Sequence, residues 1–185
     1  MIASVSSFTP GLQVESKAAS VSVAEPCGRL SLRARGDLKP FASKLGAPLP
    51  GRIGERAVAD DVQVICLGPD EWMIHAPADQ IPEIEAAFQS LYERHPHSLV
   101  DVSGREVSFT IDGPRAAELL SVGCPRDLGR FKPSEGRRTV FDGVTVILWC
   151  DSETTFRMDV WHSFAPYVFH LLETGCRELG AESGF

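Results

Sequence analysis

The chain has no run of about 18 apolar residues, the length a membrane-spanning helix requires, and it opens with no basic segment leading into an apolar stretch. Neither membrane insertion nor export is therefore expected. Its cysteines are few and scattered: Cys27, Cys66, Cys124, Cys150 and Cys176 include no Cys-x-x-Cys and no Cys/His pair at zinc-ligand spacing. That pattern argues against a disulfide framework or a zinc cluster and fits reduced thiols in a cytoplasm. Basic residues are in the minority, 18 Lys and Arg against 25 Asp and Glu, for a net charge of -7. A sequence-independent grip on nucleic-acid phosphates, which needs clustered Lys and Arg, is not expected. There is no Gly-x-Gly-x-x-Gly after a strand, no phosphate loop and no Gly-x-Ser-x-Gly elbow.

What is present is a well-patterned globular chain of 185 residues, 43% apolar, which is enough for a real core. Its most informative stretch runs from Asp101 to Asp127. Val107, Phe109 and Ile111 alternate with Ser108, Thr110 and Asp112, the period of a half-buried strand. Asp112-Gly113 breaks that strand, with a positive φ expected at Gly113. Pro114 suits a helix start, and Ala116, Leu119 and Leu120 form an apolar stripe that stops at Gly123.

The same design occurs earlier in the chain. At one constant offset and without a gap, Leu30 falls on Val107, Leu32 on Phe109, Gly36 on Gly113, Gly46 on Gly123 and Pro48 on Pro125. After connections of unequal length, Val62, Val64 and Ile65 match Val144, Val146 and Ile147, and Glu71 matches Glu153. Each half then reads as a hairpin, turning at Gly68-Pro69-Asp70 in the first and near Asp151-Ser152 in the second. A longer helix follows each: Asp79 is a candidate cap for the first, with Ile81, Ile84, Phe88 and Leu91 as its stripe, and Ser163 for the second.

With Ser98 to Val102 as a closing strand, the first half reads strand, helix, strand, strand, helix, strand, the split βαβ order of ferredoxin-like units. The second half has the same order without an obvious last strand. The fold class is therefore α+β, built from duplicated ferredoxin-like halves. Residues 1–26 read as an N-terminal arm that is poorly ordered alone or lies along a neighbour, and that could also supply a missing strand. Residues 27–185 read as one domain made of two repeats, about 28–103 and 104–182.

Candidates for chemistry are sparse. Cys124 precedes Pro125 without a histidine near it in sequence and reads as a small buried residue. His95-Pro96-His97 has the look of a metal clip, yet two ligands after a helix end make a solvated loop rather than a site. Trp161, His162 and His170 read as core or interface packing, and Asp101 and Ser103 as turn caps. No catalytic residue and no metal ligand is assigned.

The string Asp101-Val102-Ser103, a short strand, Gly113-Pro114, the Ala116/Leu119/Leu120 helix and Gly123-Cys124-Pro125 with Asp127-Leu128 resembles the gamma subunit of heterotetrameric sarcosine oxidase. It is similar, more distantly, to the folate-binding domain of aminomethyltransferases. The resemblance spans roughly residues 28–180. It implies a non-catalytic structural subunit, with alpha, beta and delta subunits as partners, of an oxidoreductase that demethylates sarcosine to glycine. Hydrogen peroxide forms from oxygen, and the one-carbon unit passes to tetrahydrofolate. FAD, FMN, NAD, tetrahydrofolate and zinc are then implied on the other subunits and none on this chain. The catalytic carboxylate of aminomethyltransferases maps nearest to Asp142, before Val144, although the paired glycines and second aspartate of that motif are missing. The Lys-Gly-Cys-Tyr-x-Gly-Gln motif of the folate-dependent iron-sulfur relatives is absent as well. Two alternatives follow: a stand-alone tetrahydrofolate-binding one-carbon-transfer protein, with Asp142 or Asp101 meeting the pterin, or a gamma-type subunit acting on another N-methyl amino acid. In the subunit reading, exposed apolar surface around Trp161, Phe164 and Phe185 meets the partners.

Overall fold

The computed structural model describes residues 8–182, and the chain divides into two compact units, Cys27–Ser103 and a second formed by Met1–Pro26 with Gly104–Phe185. Two strands come first, β1 (Gly11–Glu15) and β2 (Ser20–Val23). The Cys27–Ser103 unit then contains β3 (Gly28–Ala34), α1 (Lys39–Leu45), β4 (Arg56–Ala59), β5 (Val62–Gly68), β6 (Glu71–Ala76), α2 (Ile81–Gln89) and β7 (His97–Asp101). The rest of the chain gives β8 (Glu106–Asp112), α3 (Ala116–Ser121), β9 (Gly136–Phe141), β10 (Val144–Cys150), β11 (Thr155–Trp161) and α4 (Ala165–Glu182). Each unit is built on one antiparallel sheet, ordered β4-β5-β6-β3-β7 in the first and β1-β2-β8-β11-β10-β9 in the second. The molecule is thus mixed α/β with two antiparallel sheets.

Period-2 alternation sets the cores. In the Cys27–Ser103 unit, Leu30, Leu32, Val64, Cys66, Trp72 and Ile74 share a face with Phe41 and Leu45 of α1 and Ile81, Ile84 and Phe88 of α2. In the other unit, Val107, Phe109, Ile111, Val146, Leu148, Met158 and Val160 pack with Leu119 and Leu120 of α3 and Val168 and Leu172 of α4. A fully buried Leu, Ile or Phe contributes about 1.5–3 kcal/mol, so these faces dominate stability.

Of the readings open for the N-terminal segment, its strands show the one in which it supplies the second half's missing strand: β2 pairs antiparallel with β8, Val23 opposite Phe109, and β1 pairs with β2. Two features differ from the sequence reading. The connections of unequal length each hold an edge strand, β4 and β9, which the sequence does not announce because Arg-Ala-Val-Ala and Arg-Arg-Thr-Val are half-exposed and lack a strong apolar alternation. Second, Asp79 does not cap α2. It lies in a short 3-10 turn, Ala78–Gln80, and the N-cap Gln80 makes no side-chain bond.

Two glycines in the repeat have clear but different reasons. Gly46 ends α1 in the left-handed conformation, φ 72°, which a side chain disfavours. Its counterpart Gly123 is needed for space: a Cβ there would sit 3.0 Å from the Asp142 nitrogen on the β9–β10 hairpin. The Glu71–Glu153 equivalence fails, because Glu71 begins β6 whereas Glu153 lies in the wider turn before β11.

Candidate functional site

The second unit's sheet has one greasy and one polar face. Opposite the core side chains, β8 presents Glu106 and Ser108, β11 presents Arg157, Asp159 and Trp161, and β10 presents Ile147 and Trp149. Register places Asp159 beside Ser108 and Trp161 beside Glu106. Asp159 is only 2% exposed. Burying an ionised carboxylate costs several kcal/mol unless strong donors surround it. The Ser108 hydroxyl donates to Oδ1, and the Trp149 indole Nε1 donates to Oδ2 at 2.6 Å. One carboxylate therefore ties together β8, β10 and β11.

Charged groups extend the same face. Arg105 donates to Glu106 Oε1 from Nη2 at 2.8 Å, and its guanidinium lies 5.5 Å from the Trp161 ring. Arg157 stacks 5.0 Å from Trp149 while paired with Asp151. A cavity of about 120 Å³ opens here, lined by Arg105, Glu106, Arg138, Ile147, Asp159 and Trp161. That is smaller than the roughly 300–1,000 Å³ usual for small-molecule pockets. With both of its oxygens accepting, Asp159 fastens the three strands together.

The two carboxylates singled out in the sequence lie in different units and serve their own turns. Asp142 and Gly143 both have positive φ, 45° and 80°, the signature of a tight two-residue hairpin between β9 and β10. The Asp142 carboxylate accepts from the Tyr167 hydroxyl on α4. That hydrogen bond, with burial and the carboxylate's charge, pushes the Tyr167 hydroxyl above its usual range. Asp101 ends β7, where Oδ1 accepts from Ser103 N at 2.8 Å and Ser103 Oγ at 2.5 Å, and Ser103 Oγ accepts from Arg29 N at 2.9 Å.

The remaining candidates are placed as follows. Cys124 is buried, as read. His97 is not in a solvated loop: it starts β7 with its ring 5.0 Å from Phe41, 5.7 Å from Phe88 and 5.7 Å from Tyr92. Trp161 and Phe164 are 47% and 45% exposed, and Tyr167 beside them is exposed as well, whereas Phe185 lies outside the described residues. Sequence reasoning missed Asp159 altogether. The available signal was its position in an apolar strand, out of phase with Met158 and Val160. Among the described residues no group of three or more His, Cys, Asp or Glu gathers as a metal site, and no helix is long and apolar enough to cross a membrane.

These features define a class: a mixed α/β chain of two antiparallel sheets, one of which holds a buried carboxylate that joins three of its strands. No family model matches the chain. In fold it is similar to the glycine cleavage system aminomethyltransferase T from Bartonella henselae, at a TM-score of 0.60 and 16% identity, over 85% of this chain and 46% of that one. A chain of the heterotetrameric sarcosine oxidase from Corynebacterium sp. U-96 matches with a TM-score of 0.81 and 26% identity, over 91% of this chain and 89% of that one. The sarcosine oxidase subunit gamma of Corynebacterium sp. (strain U-96) is 30% identical over 146 residues, 76% of this chain and 69% of that protein. The chain belongs to the sarcosine oxidase gamma subunit family.

Proposed function

We propose that this chain is the non-catalytic structural subunit of a heterotetrameric sarcosine oxidase, assembled in the cytoplasm with alpha, beta and delta subunits. The complex oxidatively demethylates sarcosine to glycine, forms hydrogen peroxide and passes a one-carbon unit to tetrahydrofolate. FAD, FMN, NAD, tetrahydrofolate and zinc sit on the other subunits. The observation that carries this reading is the likeness to the Corynebacterium chain along nearly its whole length. The polar cluster on the second sheet supports it, because its most deeply buried carboxylate, Asp159, is committed to Ser108 and Trp149. Asp142 and Asp101 are turn-holding residues in this proposal, not cofactor ligands.

The two units are, in this reading, copies of one ferredoxin-like unit, about residues 28–103 and 104–182, with residues 1–26 completing the second. Supporting this, β5-β6-β3-β7 and β10-β11-β8-β2 run in the same order in their sheets. The exposed aromatics Trp161, Phe164 and Tyr167 are the proposed contact with a partner subunit.

The test is the native mass and visible spectrum of the tagged chain purified from its host. A large complex absorbing as oxidised flavin and consuming oxygen with sarcosine is expected. A colourless monomer or homodimer refutes the assignment.

A further inference from the structure

Four strands end the two sheets, and three of them are built to refuse a neighbour. β4 is only four residues long, β9 carries Arg137 and Arg138 in succession, and β1 shifts register between Leu12 and Val14. Short length, charge and bulges are the usual devices that stop a sheet edge from pairing further. β7 uses none of them. His97-Ser98-Leu99-Val100-Asp101 contains no Lys, Arg or Pro and pairs with β3 in unbroken register, from Ala34 opposite His97 to Leu30 opposite Asp101. Its one charge, Asp101, is turned into its own turn by Ser103.

The direction of the unpaired groups follows from one bond. Val102 N donates to Arg29 O at 2.8 Å, so alternation aims the backbone groups of Ser98 and Val100 at β3 and those of His97, Leu99 and Asp101 outward. Among the described residues no strand pairs with that outer side. Beside it, α2 and β7 enclose a groove of about 410 Å³ lined by Glu85, Phe88, Tyr92, His97 and Leu99. Tyr92 is 52% exposed.

The other unit shows what such an edge accepts. There β2 lies on β8 as β7 lies on β3, and β1 pairs along the outer side of β2. Just upstream of β1, Phe8 inserts edge-on against Phe109 of β8 and Phe169 of α4, with both centroid distances 5.3 Å. A strand on the edge and an aromatic side chain against the helix complete that sheet from within the chain. Nothing described completes β7.

We infer that β7 receives an extended segment of another subunit as an added strand, with one apolar side chain of that segment seated against Tyr92 and Leu99. The segment carries a Lys or Arg facing Glu85, the one acidic side chain among the residues that line the groove. Main-chain bonds to His97, Leu99 and Asp101 supply affinity, and the groove supplies selectivity. The inference rests on the reading of this chain as a subunit of a sarcosine oxidase complex.

Hydrogen exchange on the full chain, alone and assembled with its partner subunits, tests it. In the complex the amides of His97, Leu99 and Asp101 exchange at least roughly tenfold more slowly than in the isolated chain. Leu99→Pro removes an outward N–H and leaves the β3 ladder intact, and Glu85→Lys reverses an exposed charge without altering packing. Each weakens assembly about tenfold or more, as loss of one main-chain bond or one charge contact at an interface does. Glu85→Lys keeps the test open should Leu99→Pro fail to fold. An intact complex in which the three amides exchange as in the isolated chain overturns the added strand alone. A chain that never assembles overturns both this inference and the subunit reading. A homodimer of the isolated chain that protects the same amides overturns the choice of occupant.

Discussion

Replacing Gly113 with alanine, then with valine, probes the turn on which the second unit's β8 hands over to α3. Gly113 has φ 134°, and an added Cβ would stand 2.7 Å from Ala19 Cα and 2.9 Å from Ala18 O. The obstruction is backbone, so it cannot swing aside as a flexible side chain would. A side chain at such a φ costs on the order of 1–3 kcal/mol, and forcing an atom into a packed site adds about 1–3 kcal/mol. The shift also strains the bond from Arg115 N to Ala18 O, at 2.9 Å, which ties the turn to the loop before β2. Together this is roughly 2–6 kcal/mol for alanine, with valine at the upper end, and a fall in melting temperature of about 5–20 °C at this chain length. Gly36 is the control: its φ is 82° but nothing lies within 4 Å of its would-be Cβ. Gly36→Ala carries backbone strain alone, about 1–2 kcal/mol. Urea unfolding followed by circular dichroism and tryptophan emission measures both. If Gly113→Ala costs no more than Gly36→Ala within about 0.5 kcal/mol, the close approach of Ala18 and Ala19 is wrong.

Asp159→Ala leaves the Trp149 indole and the Ser108 hydroxyl without this acceptor and is expected to cost about 2–4 kcal/mol in urea unfolding, against a smaller loss for Asp159→Asn. Equal, negligible losses would show that the carboxylate does not fasten β10 to β8. Asp70 is held below the usual carboxylate value first by its hydrogen bond from Arg35, with the charges of Arg35 and Arg33 adding and burial opposing. Its folded value lies below the unfolded one, so the stabilisation is full above about pH 4 and disappears as pH falls through the folded value. Arg35→Gln should therefore differ from the parent above that pH and converge with it in acid, and a difference independent of pH refutes the pairing. Tyr167 has the opposite sign: its raised folded value gives stability that is present below about pH 10 and lost as pH rises through it. In a Tyr92→Phe background, where Tyr167 is the remaining tyrosine, Asp142→Asn should lower its ultraviolet titration midpoint. An unchanged midpoint would break the proposed link between the hairpin and α4.

Local signals in the sequence carried much of this structure. Gly36 and Gly113 both adopt positive φ, and the hairpins at Pro69-Asp70 and after Cys150 form where the apolar alternation placed them. What escaped were features whose cause is another element. β4 and β9 are strands because β5 and β10 offer them an edge, while their own Arg, Ala and Thr residues carry no strong period. His97 reads as a loop residue until α1 and α2 bring Phe41, Phe88 and Tyr92 around it. Asp159 carries no signal of its role beyond alternating with Met158 and Val160, and its partners become visible only once β11 is registered against β8 and β10.

The place of β2 beside β8 also sets an order of events during synthesis. The Cys27–Ser103 unit is contiguous and can close as soon as it leaves the ribosome. The first strands cannot join it in doing so: Ser20 meets Asp112 at a sequence separation of 92. Until β8 emerges, β1 and β2 remain a hairpin without a sheet, too small to be stable alone. The last-folding sheet therefore includes strands made well before it, a non-local pairing of the kind that folds slowly and is exposed to mispairing while it waits.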